Sequence, residues 1–85
     1  MNIREDAKKI VRYLLKQAEE NDNLFWESET TYGELAEDSG IGGAKRCHIC
    51  VQYLKRRDFV KADAEGGTVL IRLEAAAVDF LEADI

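Results

Sequence analysis

The sequence predicts an α+β domain: a three-helix core, a β-hairpin and a C-terminal helix. Three observations predict it. Residues 3–20 repeat apolar side chains at helical steps. Residues 30–57 read as two helices joined by a tight, glycine-containing turn. Residues 60–73 alternate as two strands around Glu65-Gly66-Gly67. Eighty-five residues form one domain, 1–85, and the absence of proline or a low-complexity stretch places no linker inside it.

Ile3, Ala7, Ile10, Val11, Leu14 and Ala18 make the stripe of helix 1, and Asn21-Asp22-Asn23 ends it. Leu24-Phe25-Trp26 is expected in the core, locking helix 1 to the next element. Thr31 and Glu34 fit a capping box, which opens a short helix with Leu35 and Ala36 inward. Gly40 supplies a helix stop and Ile41 returns to the core. Gly42-Gly43 leads into the next helix, over 44–57, without the Ser or Thr that caps best. On that helix Cys47, Cys50, Val51 and Leu54 share one side. Lys45, Arg46, His48, Ile49, Gln52 and Tyr53 occupy the other. Val69, Ile71 and Leu73 alternate as a half-buried strand. Residues 74–84 read as the last helix, with Ala77, Val78, Leu81 and Ile85 inward and Phe80 off that side.

The net charge of −5 excludes a uniformly basic nucleic-acid binder, but the charge is segregated. Residues 23–42 carry five acids and no base. Residues 43–61 carry six bases and one acid, Asp58. Residues 62–85 carry six acids and only Arg72. One positive segment inside an acidic chain attracts phosphate locally while its surroundings repel it. No apolar run approaches the ~20 residues of a membrane span, and the N-terminus lacks the apolar core of a signal peptide. The expected location is cytoplasmic, with no membrane contact.

Cys47-His48-Ile49-Cys50 has the spacing of half a zinc site, but the chain holds no further Cys or His to complete one. Both cysteines fall on the apolar side, where thiols behave as small hydrophobes. No metal and no cofactor is expected. No nucleophile–base set, phosphate-cradling loop or carboxylate pair is present, so a non-enzyme is expected.

The segments Thr31-Tyr32-Gly33-Glu34-Leu35-Ala36-Glu37-Asp38-Ser39-Gly40-Ile41, Cys47 to Val60, and Leu73-Glu74-Ala75-Ala76-Ala77 together resemble the winged helix-turn-helix family, and within it the multiple-antibiotic-resistance-type and related small prokaryotic regulators. The resemblance implies a sequence-specific, double-stranded-DNA-binding transcriptional regulator. Its 44–57 helix would enter the major groove, and its hairpin would act as the wing. Thr31, Tyr32, Lys45, Arg46, His48, Ile49, Gln52 and Tyr53 would line the nucleic acid. A homodimer is expected, with Phe80, Tyr13 and Leu15 at a seam of the two terminal helices. The chain departs from the family at Asp58, where glycine is usual, and at Asp63 and Glu65, where wings carry Arg or Lys. Ile49 and Tyr53 are also more apolar than the family's helix. A rival expectation is a protein-docking surface of Ile49, Tyr53 and Leu70. A third is a thiol- or metal-responsive regulator using Cys47 and Cys50.

Overall fold

The computed structural model describes residues 2–83. Helix α1 spans Ile3–Glu20, and the Asn2 side chain caps it by accepting the Glu5 N–H at 3.3 Å. The predicted stripe is its buried side: Ala7, Ile10, Val11, Leu14 and Ala18 all face the core. Strand β1, Ser28–Thr30, comes next and is not expected from the sequence. Helix α2 covers Tyr32–Ser39 and helix α3 covers Ala44–Arg56. Strands β2, Val60–Glu65, and β3, Thr68–Leu73, form the predicted hairpin, and α4 runs over Ala76–Glu82.

Among the described residues four helices and a three-stranded antiparallel sheet therefore make one α+β fold, with sheet order β1-β3-β2. Ser28 pairs with Ile71 on one side of β3, and Val60 pairs with Leu73 on the other. Val60, Ala62, Val69, Ile71 and Leu73 point to the helices, while Lys61, Asp63 and Leu70 point to solvent. Gly66 and Gly67 both take positive φ, 59° and 87°, as a two-residue hairpin turn demands. Among the described residues no helix is long and apolar enough to cross a membrane.

Three helix ends share one solution. The N–H of Asn23 donates to the Ala18 carbonyl, that of Ile41 to Ala36, and that of Phe59 to Leu54, at 2.7–3.0 Å. Each pattern needs a left-handed residue just before the donor. Gly40 fills that place after α2 at φ 83°, but Asp22 and Asp58 fill it after α1 and α3, at 50° and 59°. Asp22 and Asp58 therefore take a left-handed conformation that most non-glycine residues avoid. Short polar side chains tolerate it better than most.

Two sequence expectations fail here. Leu24, Phe25 and Trp26 are exposed, not core, because they sit on the turn between α1 and β1. Phe80 is buried at 6% exposure, and so is no dimer seam. It stacks on Phe59 with ring centroids 4.5 Å apart, and its ring lies 5.4 Å from the ammonium of the fully buried Lys8. Leu81, expected inward, is half-buried against the core; Val78, also expected inward, is half-buried; and Ile85 lies outside the described residues. Tyr13 and Leu15 are half-buried against the core. Phe80→Ala is expected to destabilise the fold by about 3–4 kcal/mol in chemical denaturation, as deletion of a core aromatic does. A surface Phe would cost well under that.

Candidate nucleic-acid interface

Helix α3 is placed by its apolar side. Cys47, Cys50, Val51 and Leu54 are fully buried. Burying positions 47, 50, 51 and 54 turns 45, 48, 49, 52, 55 and 56 outward, since all six recur at three- and four-residue steps. Lys45, His48, Ile49, Gln52, Lys55 and Arg56 are indeed all exposed. Ile49 sits mid-row at 44% exposure, an apolar group framed by polar and basic ones. No acidic residue occurs anywhere on α3.

The N-terminus of α3 is open. Gly43 is the cap residue, at φ 106° and ψ 163°, and it carries no side chain to accept the first N–H groups. No acid lies in the first turn either. Free N–H groups and the positive end of the helix dipole thus stand beside Lys45. At the other end Lys55 and Arg56 complement the dipole while remaining exposed.

The start of α2 adjoins this face. The Tyr32 ring meets His48 edge-on, with centroids 4.7 Å apart. Thr31 caps α2 by accepting the Glu34 N–H at 3.1 Å, and its hydroxyl donates to Glu34 Oε1 at 3.2 Å. The predicted capping box is therefore present in modified form: the Glu34 carboxylate receives the Thr31 hydroxyl.

Of the eight sequence-predicted residues, Lys45, His48, Ile49 and Gln52 are brought together on one exposed face, and Tyr32 joins them through His48. Thr31 is committed to its cap. Arg46 is turned away: its Nε donates to Asp6 Oδ2 of α1 at 2.8 Å, and its side chain keeps 16% exposure. Tyr53 is half-buried, with its ring 6.3 Å from that of Phe80. Lys55 and Arg56 are absent from the sequence-predicted set, although continuing the three- and four-residue steps beyond Gln52 reaches both.

The hairpin presents a different surface. On the outer face of the sheet Leu70, 38% exposed, lies between Glu29 and Asp63 in register. Lys61 and Arg72 pair in the next outward row, away from the turn. The hairpin end near Gly66-Gly67 is thus acidic and its base is basic.

The cysteines belong to the interior. Burial pushes the Cys47 thiol up to about 11, and it pushes Cys50 up as well. A thiol so shifted is protonated at neutral pH and is a poor nucleophile and a poor metal ligand. Among the described residues no three His, Cys, Asp or Glu side chains are grouped to hold a metal ion.

No protein-family model matches the chain, and no curated protein matches it significantly.

The Arg46–Asp6 pair makes stability depend on pH. The hydrogen bond from Arg46 holds the Asp6 carboxyl below its ordinary value of 3.8. A lowered carboxylate adds stability above that ordinary value and loses it as pH falls through the lowered one. Asp6→Asn should therefore cost about 1 kcal/mol at pH 7, in the range of partly exposed charge-assisted pairs. In urea unfolding curves the difference from wild type should begin to shrink as the pH falls below 3.8 and should vanish below the lowered value. An equal gap at all pH values would assign the cost to packing.

Proposed function

We propose that this chain is a winged helix-turn-helix protein that binds double-stranded DNA as a sequence-specific transcriptional regulator, with α3 in the major groove. One observation carries the reading: the outward row of α3 is continuous, exposed and free of acid, in a chain whose net charge is −5. The order α2, turn, α3, hairpin is compatible with that fold and supports the assignment.

The row has the chemistry that base reading requires. Lys45, beside the open helix N-terminus, suits a phosphate or the O6/N7 edge of guanine. Gln52 suits the bidentate edge of adenine, and the exposed Ile49 suits the methyl of thymine. His48 and Tyr32 together suit the backbone flank, where contacts fix position without reading sequence. Lys55 and Arg56 extend the charged track along the groove wall. The hairpin would approach DNA by its basic base, Lys61 and Arg72, because acidic groups near its tip repel phosphate.

The rival docking surface of Ile49, Tyr53 and Leu70 receives less support. Tyr53 is drawn toward Phe80, and Leu70 stands between two acids on the sheet. The thiol-sensor alternative would require two core side chains to leave the core.

Lys45→Ala combined with Arg56→Ala removes two exposed cations and no buried contact. Fluorescence anisotropy with a labelled duplex should show weaker binding and a salt slope reduced by about 1–2. Unchanged affinity and slope in the folded double variant would take α3 out of the interface.

A further inference from the structure

A second surface lies outside the α3 row. Leu24, Phe25 and Trp26 are 36%, 45% and 41% exposed, and they are three of the five large hydrophobic side chains that the described residues leave in solvent. Three such residues in succession make one short exposed apolar segment, unlike singly scattered surface apolar groups. The backbone beneath them is fixed. Asn23 N–H donates to the Ala18 carbonyl, the Asn23 side chain accepts the Phe25 N–H, and Trp26 N–H donates to the Asn23 carbonyl, each at 3.0 Å. Pairing of Ser28 with Ile71 then anchors the far end. The rings are thus held outward by an ordered turn, and their exposure is not the result of a frayed end.

The surroundings specify what covers the patch. On one side Leu15, Ala18, Glu19, Asp22 and Leu24 line a shallow groove. On the other, Trp26 and Tyr13 border a cleft that also takes in Glu27, Glu29, Glu34 and Asp38. Six carboxylates flank the segment, and among the described residues no Lys or Arg lines either depression.

We propose that Leu24-Phe25-Trp26 and these flanking depressions form a docking surface for a short basic segment of a partner protein that also carries apolar side chains. Apolar groups of the segment cover Leu24 and Phe25. Its Lys or Arg side chains meet the carboxylates and the face of Trp26, which is the best aromatic acceptor of a cation. A two-fold pair of this chain through the same patch is disfavoured, because it would set one acidic surface against another. At these two depressions the acids repel phosphate-bearing partners, whereas Lys9, Arg12 and Lys16 line the neighbouring depression beyond Tyr13 and Asp38. No α3 residue lines either depression, so the patch is a surface separate from the α3 row.

The chain's own charge map makes the test discriminating. Peptides selected by the basic α3 row would be acidic, and peptides selected by this patch would be basic. A phage-displayed library of random peptides is selected against the wild-type chain, and the recovered peptides are synthesised and titrated. Trp26 is the only tryptophan, so its emission reports directly on the site. The expected result is peptides rich in Lys or Arg with interspersed apolar residues, each moving Trp26 emission to the blue. Phe25→Ser and Glu27→Lys should each weaken binding by about tenfold, and Lys45→Ala should leave it unchanged. Both replaced side chains are exposed, so the variants should keep the wild-type circular dichroism and melting temperature. Failure to recover basic peptides overturns the proposal, as does binding indifferent to Phe25→Ser. Self-association of the wild type in light scattering, abolished by Phe25→Ser, also overturns it by making the patch a seam between copies.

Discussion

The contact between α1 and α3 decides what this protein shows to solvent. Ala7, Ile10, Val11 and Leu14 on one helix and Cys47, Cys50, Val51 and Leu54 on the other belong to one core cluster. An α-helix has a fixed period, so burying one side of α3 fixes the identity of the other side. Two of the four inward residues of α3 are cysteines, small enough for the helix to sit deep in the core, and their burial explains why neither thiol is poised for chemistry. The Arg46–Asp6 bond ties the N-terminus of α3 to the first turn of α1. It makes an apparent surface cation part of the scaffold and leaves Lys45 as the exposed charge at the helix start.

The other elements complete that core from two sides. The sheet contributes Val60, Ala62, Val69, Ile71 and Leu73 from its inner face. Helix α4 contributes Ala77 and Phe80, and Phe80 gathers Phe59, Tyr53 and the cations of Lys8 and Arg4 around one ring. Quadrupolar faces attract cations most when water is excluded, so this ring gives the buried ammonium of Lys8 a favourable neighbour. The result is a segregated surface: a basic row on α3, an acidic end of the hairpin, and an aromatic patch bordered by carboxylates.

Much of this is legible in the sequence where periodicity is long enough to read. Eighteen residues of α1 repeat their stripe several times, and the 47–54 side of α3 is unambiguous. Short elements escape. β1 is three residues, Ser-Glu-Thr, and exists because β3 offers it an edge, which no local pattern announces. α4 has seven residues, about two turns, so stripes through Ala77–Leu81 and Ala77–Phe80 are equally consistent with its spacing. An apolar run without a period, Leu24-Phe25-Trp26, reads as core on composition alone and is nonetheless exposed. At the candidate interface, Lys45, His48, Ile49 and Gln52 follow from the helix wheel. Arg46 does not, because its partner is 40 residues away and long-range ion pairs leave no local signal. Tyr53 lies near the border between the two sides, and Phe80 draws it inward.

The central claim is that the outward row of α3 is a DNA-reading surface. A titration of the isotope-labelled chain with a duplex pool of random sequence, followed by amide chemical shifts, tests it residue by residue. The account predicts shifts concentrated at 31–32 and along 43–56, growing as salt is lowered, with residues 24–29 unmoved. Absence of shifts at low salt, or shifts at 24–29 with α3 unaffected, would contradict it.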